Sequence, residues 1–241
     1  MASEQKTKAI ILKKQPLGEA DEIITVFTED YGKLRLLGKA TKKNTSKLQF
    51  ALQAFSEAEL TLVHSKGSMH RVIRAVPLEL FATARQIPAA LAFFFWAAEV
   101  LLKSTPDEQP NQHLYQTLGA CLRYANTQGV NQEGLDILVI KYSLDLLRSI
   151  GLTMYIPVEK SDGAWYFSET RGGFFSDNHS DSVSVSDSTR QFLAQVDAAA
   201  LPNLPQAMPA LPLARALTLG FLHYQIERSI NAEQFLNNPV S

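Results

Sequence analysis

Six cations fall within fifteen residues with no acid among them: Lys33, Arg35, Lys39, Lys42, Lys43 and Lys47. Charges of one sign crowded this way suit one task above others, because each cation that neutralises a phosphate releases a counterion condensed on a nucleic-acid backbone. In the run KLRLL, strand alternation sets Leu34 and Leu36 inward and Lys33 and Arg35 outward on one face, with Lys39, Lys42, Lys43 and Lys47 on the loop that follows. A solvated face without a partner is the plainer account, and the missing acids weigh against it. Tyr31, at a turn beside this strand, is the one aromatic placed to stack on a base, although filling the hairpin is its ordinary role. Arg71 and Arg74 are three positions apart in a strand and are expected to face opposite sides. At most one of them, taken as Arg74, extends the patch.

No spacing that enforces a catalytic mechanism is present: GxSxG, the P-loop, GxGxxG and HExxH are all missing. The five histidines are scattered. Asp177, His179 and Asp181 could ligate a metal, but a loop rich in Ser and Asp produces such triplets by chance. Cys121 sits between Leu118 and Leu122 on a helix, where a small core residue is the simple reading. Lys141 and Arg148, seven residues apart, share a helix face with Asp145 between them. Lys141 and Asp145 then form a surface i, i+4 pair, or the two cations rim an apolar groove suited to an acidic peptide with a hydrophobic end.

The elements that must position these residues divide near Pro77. Before it, runs of β-branched and aliphatic residues between turn signals predict strands near 8–14, 22–28, 33–38, 55–63 and 70–76. Ala58, Leu60 and Leu62 alternate with Glu57, Glu59 and Thr61, the pattern of a half-buried strand. Five short strands in such a length predict a small barrel; an OB-fold is the natural candidate, and an SH3-like barrel fits the spacing as well. After Pro77, the apolar run at 87–102 is too short to span a bilayer and contains Pro88 and Glu99, so it reads as a buried core helix. Helices follow at 112–126 and 134–150, the latter ended by Gly151. The stretch 152–190 reads as an irregular insertion with weak strands at 165–168 and 173–176, and a proline-punctuated linker leads to a final helix at 213–230. The resulting division is a barrel domain at 1–80 and a helical domain at 81–241.

The formal net charge of the 241 residues is −1. Taken whole, that balance argues against a nucleic-acid partner. It is unevenly spread: residues 1–80 hold 13 Lys and Arg against 9 Asp and Glu, and the remaining 161 hold 10 against 15. A single cysteine rules out an intrachain disulfide and fits a reducing compartment. The N-terminus has a basic pair but no long apolar core of the kind a secretory signal needs. The expected setting is cytoplasmic, with no membrane partner.

The run GEADEIITVFTEDYGKLRLLGKA from Gly18 to Ala40, followed by LQAF from Leu52 to Phe55, resembles the N-terminal signature of the bacterial RecO family of DNA repair and recombination mediators. The C-terminal LGFLHYQIER and the QFL after it resemble that family's last helix. The resemblance implies an α+β protein: an OB-fold barrel followed by a helical domain with a small C-terminal module. It implies binding of single- and double-stranded DNA, annealing of complementary strands, and help to RecA in replacing single-strand-binding protein, with RecR as partner and without enzyme turnover or cofactor. Lys33, Arg35, Lys39, Lys42, Lys43 and Lys47 occupy the family's basic strand and loop. Lys141 lies on the helix that would receive the acidic, Phe-ended tail of single-strand-binding protein. Many members flank a Phe-Ser…Gly-Gly motif with two CxxC pairs that hold zinc; here Phe167-Ser168 and Gly172-Gly173 stand without cysteines, and no zinc is expected. A protein-binding adaptor, with the barrel as mere scaffold, is the alternative.

Overall fold

The computed structural model describes residues 4–42, 47–64, 69–128, 131–159 and 163–237. Five strands, β1 (Glu4–Leu17), β2 (Asp21–Thr28), β3 (Gly32–Gly38), β4 (Glu57–Val63) and β5 (His70–Glu79), close a barrel in the order β1-β2-β3-β5-β4. The β3–β5 contact is parallel and all other pairs are antiparallel. That closure separates the two barrel readings in favour of the OB-fold. A short helix, α1 (Lys47–Ala51), lies between β3 and β4 and, with the residue after it, brings Leu48 and Leu52 against the barrel interior. The interior is what alternation dictates: Ile24, Val26, Leu34, Leu36, Leu60 and Leu62 point inward and are buried.

Seven α-helices among the described residues, beside the strands, give the α+β architecture. α2 (Pro88–Ser104) begins with proline in its first turn, where a missing N–H is harmless, and is buried on most sides. α3 (Gln112–Gln128) and α4 (Gln132–Ser149) pack beside it, and α4 starts at Asn131, whose Oδ1 accepts from Gly134 N. At its other end Gly151 takes φ +84°, Leu152 N donates to Leu147 O and Gly151 N to Arg148 O, a Schellman closure. A three-stranded sheet, β6 (Trp165–Ser168), β7 (Gly173–Phe175) and β8 (Val183–Val185), precedes α5 (Asp187–Ala198), and α6 (Leu211–Ile226) and α7 (Glu233–Asn237) follow.

The stretch expected to be irregular is therefore more ordered than its polarity implies. Ser186 caps α5 by accepting from Thr189 N, and Phe192, Leu193 and Val196 bury the helix's inner face. The small sheet is anchored by Arg190, which is fully buried. Its guanidinium lies 4.8 Å over the Trp165 ring, its Nε donates to Asp187 Oδ1 at 2.8 Å, and it also donates to Pro157 O. The helix expected as the last, α6, starts two residues before Leu213 and ends four before Ile230, because Pro212 is accepted within its first turn and Glu227 turns left-handed at φ +49°, and α7 follows it.

Two cores form, and the second ties the halves together. The barrel's outer face contributes Ile10, Leu12, Phe27 and Phe55 to the same apolar cluster that fills the helical domain. Polar ties flank them. Glu57 on β4 accepts from Tyr115 Oη at 2.7 Å and pairs with Arg123 at 2.8 Å. Desolvation, then the hydrogen bond to Glu57, pushes the Tyr115 hydroxyl well above its usual pKa. On β3, Gly32 has φ +69°, and a Cβ there would sit 2.0 Å from Gln109 O, so glycine is required where the α2–α3 loop meets the barrel.

Candidate nucleic-acid interface

Lys33 does share the outer face of β3 with Arg35, but the helical domain covers its end of that face. Its ammonium donates to Leu102 O at 2.9 Å and Thr105 O at 2.5 Å and pairs with Asp107 at 3.2 Å, and the residue is 8% exposed. Lys33 is a tie between the two halves. Arg35, two residues along, is exposed, as is Lys39. Lys42 Nζ donates to Gly18 O, joining the β3 exit to the β1–β2 turn, and Asp21 Oδ1 accepts from Ala40 N beside it. Lys43 lies outside the described residues, and Lys47 is placed by its backbone alone at the start of α1. Tyr31 is half-buried against the barrel core, its backbone N donating to Thr28 Oγ1.

Strand register shows how these residues combine with others. Lys13 pairs with Thr25 and Thr25 with Arg35, so the three form one outward row across β1, β2 and β3. On β5, a bulge shifts the register at Ile73: Arg71 pairs with Val63 and Arg74 with Thr61. Val63 and Thr61 are two residues apart, so both arginines point outward. The expectation that they face opposite sides counted three regular positions; the extra residue of the bulge cancels the alternation. Leu37 pairs with Arg71, and Lys6 pairs with Thr61 beside Arg74. A band of exposed cations, Lys13, Arg35, Arg71, Arg74 and Lys6, thus runs around the barrel. Lys6, Lys13 and Arg71 fall outside the acid-free stretch, and only pairing between distant strands gathers them.

The Lys13–Arg35 row borders a groove of about 810 Å³ between barrel and helices. Its far wall is the exposed side of α2, with Phe95, Glu99, Leu102 and Lys103, closed by Phe235 of α7. Phe95 is 45% exposed; its ring is 4.8 Å from that of Phe55, edge to face, and 6.0 Å from that of Phe235. Burial opposes charge on Glu99, but Lys103 at 2.5 Å and the backbone N–H groups of Asn231 and Ala232 outweigh it and hold the carboxyl below its usual range.

The chain entering α7 is thereby clamped to α2, and His223 adds a second clamp through Glu233 at 2.8 Å. The hydrogen bond to Glu233 raises the imidazole's pKa above 6.5 against the opposing desolvation. A group with a raised folded pKa stabilises fully below its unfolded value and ceases to do so as pH climbs through the folded one. The protein is therefore expected to melt higher near pH 6 than near pH 8.5 from this pair. His223→Gln should shrink that difference in a thermal melt, and an unchanged pH dependence would remove the pair as its source.

On α4, Lys141 is 7% exposed, its Nζ paired with Asp145 at 3.1 Å and donating to Asp197 O at 2.9 Å. Arg148 pairs with Asp145 at 3.0 Å and with Asp197 of α5. Both cations bridge two helices. Cys121 is buried, and desolvation pushes its thiol well above the usual pKa. Asp177 pairs with Arg171, and Asp181 accepts from Ser168 and Thr170. Among the described residues no group of three or more His, Cys, Asp or Glu is placed to hold a metal ion, and no helix is long and apolar enough to cross a membrane.

Residues 1–81 match the family model described as Recombination protein O N terminal, and residues 85–233 match Recombination protein O C terminal. Similar curated proteins include DNA repair protein RecO of Alkaliphilus metalliredigens, 25% identical over 70% of this chain and 69% of the relative. DNA repair protein RecO of Bacillus pumilus is 25% identical over 72% of this chain and 67% of its own. That of Dehalococcoides mccartyi is 32% identical over 61% of this chain and 56% of its own. With the two models meeting at the junction of barrel and helices, the chain belongs to the RecO family of DNA repair and recombination proteins.

Proposed function

We propose that the barrel, residues 1–80, binds single- and double-stranded DNA, and that the protein anneals complementary strands and assists RecA loading on DNA coated with single-strand-binding protein, with RecR as partner in a cytoplasmic, nucleoid-associated setting. The observation that carries this reading is the outward band of Lys13, Arg35, Arg71, Arg74 and Lys6, which has no ion-pairing acid among the described residues. Such a band tracks phosphates and reads no base edges, so it serves any sequence. That indifference is what an annealing protein needs. The names of the relatives, DNA repair proteins, accord with it. The reading is of a binding protein without turnover, because positive charge and aromatic surface are what the barrel and its groove offer.

The test is annealing of complementary strands coated with single-strand-binding protein. The wild type is expected to accelerate annealing, and a protein with Arg35→Glu and Arg71→Glu to lose most of the acceleration while keeping its melting temperature. Equal acceleration by both would refute the assignment of the band.

For the acidic tail of single-strand-binding protein we keep the proposal at α4. Arg148, 39% exposed at its side chain, is the reachable cation, and Lys141 fixes Asp145 and the α5 end beneath it. A tail carboxylate would take the place Asp197 now holds on Arg148.

A further inference from the structure

We infer that the groove between barrel and helical domain is the seat of unpaired bases: a single strand lies with its phosphates on Lys13 and Arg35 and turns a base onto Phe95, with Phe235 beside it. This deepens the DNA-binding reading above and rests on it.

Three observations lead here. The first is the division of labour between the walls. Lys13 and Arg35 flank Thr25 across two strand spacings, roughly 10 Å, and neither has an acidic or hydrogen-bonding partner among the described residues. The opposite wall carries the rings, and both of its acids are engaged, Glu99 by Lys103 and two backbone N–H groups and Asp107 by Lys33. A charged track facing a ring is the arrangement that binds a single strand, because every base has a face to stack while its phosphate stays outside.

The second is the exposure of Phe95. The neighbouring aromatics of α2, Phe93, Phe94 and Trp96, are fully buried, whereas Phe95 is 45% exposed and lines both this groove and a smaller apolar hollow beside Pro88, Leu91 and Ala92. A large ring held edge to face by Phe55 and lining the same groove as the cations is a prepared surface. The third is continuity. Arg35 belongs both to the groove and to the outer band that continues through Arg71, so a strand tracking the barrel is led into the groove. A duplex can follow the band but cannot turn its paired bases inward. The groove should therefore distinguish the two forms of DNA.

The experiment measures affinity of the full-length protein for a labelled single-stranded oligonucleotide and for a duplex of the same length, at one salt concentration. Phe95→Leu keeps an apolar side chain against Phe55 and removes the ring. It is expected to weaken single-strand binding about tenfold and leave duplex binding within about twofold. Equal losses on both, or no loss on the single strand, would overturn the groove as a base site. Arg35→Glu separates this from the underlying reading: if it weakens neither form, DNA binding by the band itself fails, and if it weakens both while Phe95→Leu changes nothing, only the groove falls. A short Asp-rich peptide ending in Phe is the third probe; binding that is lost in Phe95→Leu while the single strand is unaffected would make the occupant a protein. A variant-free measurement stands beside these. Photocrosslinking of the wild type to an oligonucleotide carrying 5-iodouracil should label peptides containing Phe95 or Phe235. Labelling confined to β3 and β5 would refute the proposal.

Discussion

Replacing Arg35 and Lys39 with glutamate is expected to weaken single- and double-stranded DNA binding alike, by about tenfold to a hundredfold near physiological salt. Both side chains are exposed on or just beyond β3, so the fold does not depend on them. The more telling readout is salt dependence. Each phosphate contact on a single strand adds roughly 0.7 to the slope of log affinity against log salt, so removing two should flatten it by about 1.4. The loss should be the same for any base sequence, because neither residue is placed to read one. An affinity that falls with the slope unchanged would mean that the substitutions disturb something other than phosphate contacts.

Lys33→Met is expected to do the reverse, although Lys33 and Arg35 are both cations on one face of one strand. The substitution strips the hydrogen-bond donor from Leu102 O and Thr105 O and the counter-charge from Asp107. Two main-chain carbonyls left without that donor at a covered site cost about 2–4 kcal/mol together. For a chain of this size that lowers the melting temperature by roughly 5–15 °C. Asp107 is itself 63% exposed at its side chain, so the carbonyls rather than the ion pair dominate the loss. The DNA salt slope of the folded protein should be unchanged. A Lys33→Met protein that melts like the wild type and loses a phosphate contact would reinstate Lys33 as part of the interface.

The contrast between these two residues marks how far the sequence can be read. Alternation in KLRLL correctly sets Leu34 and Leu36 inward, and the same alternation puts Glu59 out and Leu60 in on β4. It assigns a face and says nothing of what lies against that face. Lys33 is covered because a loop joining two helices some seventy residues later arrives there, an arrangement no local pattern encodes. Arg71 is hidden from a sequence reading for another reason. Counting positions assumes a regular strand, and one extra residue at Ile73 reverses the parity of the positions that follow, as far as a second extra residue at Leu78.

The C-terminal module is legible in part: the weak strands expected at 165–168 and 173–176 are β6 and β7, whereas the start of α5 is taken for irregular chain. The Ser and Asp residues around β8 look like a solvated loop, yet Ser186 and Asp187 are the N-cap and first turn of α5, and Phe192, Leu193 and Val196 supply the helical spacing that signals it. The groove is the least legible feature. It takes Lys13 from β1, Arg35 from β3, Phe95 from α2 and Phe235 from α7, none of which stands out locally except Arg35.

The cluster that joins Ile10, Leu12, Phe27 and Phe55 to the helices bears on how such a protein can be divided or recombined with its relatives. Barrel and helical body look like interchangeable cassettes, since separate family models match them. A barrel grafted onto another member's helices would have to bring along complements to these four apolar residues, to Gly32 against Gln109 and to Glu57 against Arg123. Expressed alone it would present Ile10 and Phe27 to water and invite self-association. The seam constrains inheritance: its two sides must change together, so drift on the barrel's covered face is tolerated only as fast as the helices answer it.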